Sequence, residues 1–84
     1  MSLLLEIPDQ VAQAIRLPLL ERHQQVMTEL ALALYARGIL SFGKARELTT
    51  LSHAEFGRLL GQRDIPRHYT EQELEDDIAY ARGQ

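Results

Sequence analysis

Residues 41–61 read SFGKARELTTLSHAEFGRLLG, and this stretch decides the fold. Ser41 is a residue type that caps helices, and Phe42, Ala45 and Leu48 follow at helical spacing. Thr49 and Thr50 interrupt that helix, because β-branched hydroxyl residues compete with the helical backbone and favour caps and turns. A second start signal follows at once. Ser52 and Glu55 fit a capping box, and Leu51 with Phe56 fits the hydrophobic staple that fixes the entry of the chain. Phe56, Leu59 and Leu60 make the buried side of this second helix, with Gly61 near its end. Two short helices joined at Thr49 to Leu51 have the spacing of a helix-turn-helix. The usual glycine of the turn is absent, and the turn is about one residue longer than the standard pattern.

In a DNA-binding helix-turn-helix the second helix faces the base edges. Ala54, Gly57, Arg58 and Gly61 fall opposite the apolar side. Arg58 is the long cation on that face and can pair with a guanine or a phosphate. Ser52 and His53 lie at the helix start, where a phosphate would approach. Lys44 and Arg46 sit on the preceding helix, where backbone contacts are expected. Arg63 and Arg67 extend the patch. The candidate DNA-binding set is therefore Lys44, Arg46, Ser52, His53, Gly57, Arg58 and Arg63. The competing reading is a protein-interaction module that uses the helix pair structurally and never touches DNA.

Charge distribution bears on that choice. The 84 residues carry a net charge of −3, which taken whole argues against nucleic acid. Residues 1–36 hold two arginines against four carboxylates. Residues 37–67 hold six basic side chains against three acidic ones. Residues 68–84 hold one arginine against five carboxylates. The positive charge sits on the helix pair and the negative charge on the tail.

Upstream, Leu19 to Arg37 is strongly helical. Leu20, Met27 and Leu34 repeat every seven residues, with His23 and Leu30 between them, and Leu19, Val26, Ala33 and Ala31 widen the stripe. So broad an apolar face suits a core or dimer helix, and Gly38 is its natural C-cap. Before it, Pro8 opens a short helix with Val11, Ala14 and Ile15 on one face, closed at Leu17-Pro18. Leu3 to Ile7 is an apolar run of strand length. A lone strand cannot satisfy its own backbone groups, so it pairs with a second copy or remains a frayed extended segment. Downstream, Thr70 and Glu73 fit another capping box, Tyr69 and Leu74 its staple, and Leu74, Ile78 and Ala81 one apolar line.

The expected fold is all-α: one small multi-helix domain over 1–84, containing a helix-turn-helix. Residues 1–40 would supply the N-terminal strand and dimerisation helices, 41–67 the helix-turn-helix, and 68–84 an acidic C-terminal helix. A chain this short with no cysteine gains stability most readily as a homodimer. The amino terminus, MSLLLEIPDQ, lacks the basic and long apolar regions of a signal peptide, and no apolar run is long enough for a membrane span. A cytoplasmic protein is the default expectation.

Catalysis is not expected. His23, His53 and His68 lie far apart, without the paired spacing of a metal site, and no thiolate is present. Ser52 is better used as a cap than as a nucleophile beside His53. Gly38 and Gly43 flank a turn without the lysine-serine ending of a phosphate loop. No metal or cofactor is expected.

Beyond these local signals, the chain resembles a family of small prokaryotic antitoxin-like proteins often encoded beside PIN-domain ribonuclease toxins. The residues that carry the resemblance are Ile7-Pro8, the run from Leu34 to Ala45, Glu47-Leu48, Leu51-Ser52, Glu55-Phe56, Leu60, and Ile65 to Thr70. The resemblance implies a DNA-binding antitoxin that represses its own operon and neutralises a partner toxin. This chain departs from the family pattern after Leu51-Ser52, where His53 and Ala54 replace a basic and then an aromatic residue. With a toxin as partner, the acidic residues Glu71, Glu73, Glu75, Asp76 and Asp77 are the candidate toxin-facing segment, suited to a basic groove.

Overall fold

The computed structural model describes residues 1–68 together with Glu75 and Ile78. Helix α1 spans Asp9–Ala14, a 3₁₀ turn spans Leu19–Glu21, and α2, α3 and α4 span Arg22–Ala36, Phe42–Glu47 and His53–Gln62. The described residues are helical or irregular, so the all-α expectation holds. Residues 1–8 form no regular structure and are exposed. Of the two readings of Leu3 to Ile7, the single chain shows the unpaired segment, as follows where no partner strand satisfies its N–H and C=O groups.

Local chemistry sets most boundaries. The N–H groups of Val11 and Ala12 donate to the Pro8 carbonyl and open α1. The chain becomes extended at Ile15, ahead of Leu17-Pro18. Pro18 then leads into the 3₁₀ turn, so α2 begins at Arg22 rather than at Leu19. Gly38 has φ 72°; its N–H donates to Tyr35 O at 2.9 Å, and Ile39 N–H donates to Leu34 O at 2.9 Å. These two bonds are a Schellman motif, which needs a left-handed residue and explains the glycine. Ser41 caps α3, its hydroxyl accepting from Lys44 N–H.

The same motif ends α4 without glycine. Asp64 takes φ 56°, its N–H donates to Gly61 O, and Ile65 N–H donates to Leu60 O at 2.9 Å. Asp64, not Gly61, is thus the left-handed residue. Asp tolerates this region better than most side chains but not as well as glycine. Ile65 is turned back against the core.

The core is compact and late in the chain. Ala31, Leu32 and Tyr35 from α2 meet Phe42 and Ala45 from α3 and Phe56 and Leu60 from α4. Three rings lock it: Tyr35 lies 6.0 Å from Phe42 and 6.5 Å from Phe56, and Phe42 lies 5.1 Å from Phe56, all edge-to-face. Such pairs add about 0.5–1.5 kcal/mol each beyond their burial. The heptad stripe of α2 is therefore not the core face as a whole. Its N-terminal members leave the core, with Leu20 wholly exposed, and the buried line runs through Leu32 and Tyr35 instead.

Candidate nucleic-acid interface

Helices α3 and α4 are joined by residues 48–52, and that connection is stitched by side chains. The Thr49 hydroxyl donates to Arg46 O at 2.7 Å and accepts from Leu51 N–H at 3.1 Å. Arg46 Nη1 donates to Leu51 O at 3.2 Å. Gln24 of α2 donates to the Thr50 hydroxyl at 2.9 Å. No residue of this connection has positive φ, so glycine is not required there. The Thr49 hydroxyl interrupts the helix by bonding backbone groups on both sides of the turn.

The start of α4 is a complete capping box. Glu55 N–H donates to Ser52 Oγ at 3.1 Å, and Ser52 N–H donates to Glu55 Oε1 at 2.8 Å. Those bonds to Ser52 hold the Glu55 carboxyl below the usual carboxylate range. Phe56 and Leu60 bury one side of α4. Ala54, Glu55, Arg58, Gly61 and Gln62 form the outward stripe.

The expected contact residues fall into two groups. Arg58 is exposed on the outward stripe, and Lys44 is exposed on α3 beside Glu47, with 3.2 Å between Nζ and Oε2. The others are engaged within the fold. Arg46 braces the turn, and Ser52 caps α4. His53 packs its ring 4.5 Å from that of Phe42. Gly57 faces the same ring: a Cβ placed there would stand 3.9 Å from Phe42 Cζ. Gly57 thus lies toward the packed side rather than opposite it.

Arg63 reaches across to α2 and grips Glu29 with both guanidinium nitrogens, at 2.9 and 2.6 Å. This bidentate pair holds the Glu29 carboxyl below its ordinary value and raises Arg63 further. Arg67 lies over the Phe42 ring, 4.0 Å from its centroid. Of the local positive charge, Arg58, Lys44 and the exposed Arg37 face outward.

Two features escape the residue-by-residue reading. Gln62 stands one turn beyond Arg58 on the outward stripe; the i, i+4 spacing was its signal, and glutamine has the bidentate chemistry to pair with adenine. His68 closes on Tyr35, the rings stacked at 4.5 Å and the His68 N–H donating to Tyr35 Oη at 2.6 Å. Nothing local in sequence signals that pair.

Of the acidic candidates, Glu75 is helical and exposed, while Glu71, Glu73, Asp76 and Asp77 lie outside the described residues. Among the described residues no cluster of His, Asp and Glu is arranged to hold a metal ion, and no helix is long and apolar enough to cross a membrane.

A family model described as "Uncharacterised protein family (UPF0175)" matches residues 1–83. A UPF0175 protein of Aeropyrum pernix is 41% identical over 73 residues, covering 87% of this chain and 82% of that one. Another from Archaeoglobus fulgidus is 46% identical over 48 residues, 57% of this chain and 55% of that one. No solved structure matches. With the family model spanning nearly its whole length, the chain belongs to UPF0175.

Proposed function

We propose that this chain is a non-catalytic, DNA-binding regulator of the antitoxin type, which represses its own operon and neutralises a partner toxin. The observation that carries the proposal is the outward stripe of α4, which a helix-turn-helix would lay in the major groove. On that stripe Arg58 and Gln62 are spaced one helical turn apart and free of the core. Ala54 and Gly61 beside them are small enough for close approach. Lys44 and Arg37 would meet phosphates, positioning the helix without reading sequence. The acidic residues from Glu71 to Asp77 would meet the basic groove of a PIN-domain-type toxin. The chain resembles antitoxin-like proteins in sequence order, and that resemblance supports the toxin partner.

A second reading has specific support. Arg46, His53 and Arg63 hold the fold together, which suits a helix pair built to dock protein alone. A salt series separates the two. Binding of operator DNA, followed by fluorescence anisotropy, should weaken linearly with log salt, with about 0.9 unit of slope per phosphate neutralised. Arg58→Ala should cost about 1–3 kcal/mol of specific binding while helicity is unchanged. Lys44→Ala should lower the salt slope by about one unit. Absence of any DNA binding in low salt would remove the repressor reading and leave the docking module.

A further inference from the structure

The first thirty residues contribute nothing to the core, yet they are rich in large apolar side chains. Leu3, Leu4, Leu5, Ile7, Val11, Leu19 and Leu20 expose between 43% and 98% of their surface. Three of these residues, Leu5, Ile7 and Leu19, line an open groove of about 550 Å³ between the N-terminal segment and the first turns of α2. Ile7, Ile15, Leu19, Met27 and Leu30 line it, with Arg22 and His23 as its polar members.

We propose that a second copy of this chain covers the face, joining two N-terminal thirds around a twofold axis. Three observations select that occupant. The first is area. The seven exposed residues hold on the order of 900 Å² of surface, comparable with the roughly 800 Å² that each partner gives a standard interface.

The second observation is self-complementarity, which an isologous interface demands. Leu5, Ile7 and Leu19 line the recess, and their chain neighbours Leu4 and Leu20 are 91% and 98% exposed, so recess and projections come from the same two short segments. The third is charge. Glu6, Asp9 and Glu21 share this segment with Arg16 and Arg22, so a twofold operation can bring opposite signs together at the rim. The proposal stands on the N-terminal third and does not rest on the DNA reading.

Sedimentation velocity on the full chain tests it. Between about 1 and 100 µM the wild type should sediment as a dimer. Leu20→Glu should raise the dissociation constant by at least about 100-fold, because the substitution enters one interface twice. Leu20 is 98% exposed in the monomer, so the circular dichroism of that variant should keep its helical amplitude. A second measurement uses the absence of cysteine. Leu4→Cys should be captured as a covalent dimer by a short bis-maleimide, and Arg58→Cys should not.

A wild type that stays monomeric throughout overturns the proposal. So does a dimer that survives Leu20→Glu and fails to cross-link through Leu4→Cys. A monomer that binds phosphatidylcholine vesicles through Leu20 would assign the face to a lipid surface instead, and assemblies larger than a dimer would exclude the closed twofold.

Discussion

Residues 1–30 and residues 31–68 differ in burial far more than in apolar content. Every buried side chain among the described residues lies between Ala31 and Leu60, while Leu3, Leu4, Leu5, Ile7, Leu19 and Leu20 of the first region stand in water. The difference follows the aromatic residues. Residues 1–30 contain none, whereas Tyr35, Phe42 and Phe56 close a core from one long and two short helices. A ring removes about 150–250 Å² from water in one step, so three rings can seal a volume that scattered aliphatics would leave open. Capping adds to the contrast: α3 and α4 have side-chain caps, and α1 has none. Apolar count therefore does not decide which part of a small chain folds on itself.

A matched pair of truncations tests whether the two regions differ in this way. Phe56→Ala should remove about 3–5 kcal/mol, enough to unfold so small a domain in a chemical denaturation experiment. Leu20→Ala, read under conditions where the chain is monomeric, should change stability by less than about 0.5 kcal/mol. Equal losses at the two positions would mean that the first region has a core of its own.

Smaller effects sharpen the contrast. Ser52→Ala should cost about 1 kcal/mol by opening the capping box of α4. Asp64→Gly should raise stability by about 0.5–1 kcal/mol, relieving a non-glycine residue at φ 56°; a lowered melting temperature would show that the Asp64 side chain contributes more than its backbone strain costs. The Glu29–Arg63 pair, half exposed, should contribute about 0.5 kcal/mol. Because the Glu29 carboxyl is held below its ordinary 4.5, that contribution is complete above the unfolded value and lost as pH falls through the folded one. Glu29→Gln should flatten this acid limb of a melting-temperature profile, and an unchanged profile would remove the pair from it.

The features that could be read in the sequence are those whose partners lie within a few residues. The Ser52–Glu55 capping box, the Ser41 cap and the Gly38 terminus all formed where local spacing put them, whereas α1 stops at Ala14, three residues before Leu17-Pro18. Long-range contacts were not legible. Arg63 and Glu29 are 34 positions apart, so the same arginine looked like a free cation. Helical spacing puts Gly57 opposite the apolar side and position at the helix start puts His53 near a phosphate, but neither shows the Phe42 ring arriving from α3. The turn residues Thr49 and Thr50 marked where the helix stops, but not that Thr49 would rebuild two of its bonds. The breadth of the α2 stripe suits either a core or a dimer face, and heptad repetition does not say which flank meets the next helix.

The clasp between His68 and Tyr35 has an optical consequence. The chain has no tryptophan and three tyrosines. Tyr35 sits fully buried with its ring stacked on His68 and its oxygen accepting the His68 backbone N–H. An asymmetric, immobilised phenol of this kind gives a strong near-ultraviolet dichroic band, and a solvated one gives little. The protein thus carries an intrinsic gauge of whether residues 65–68 are seated, readable without a label.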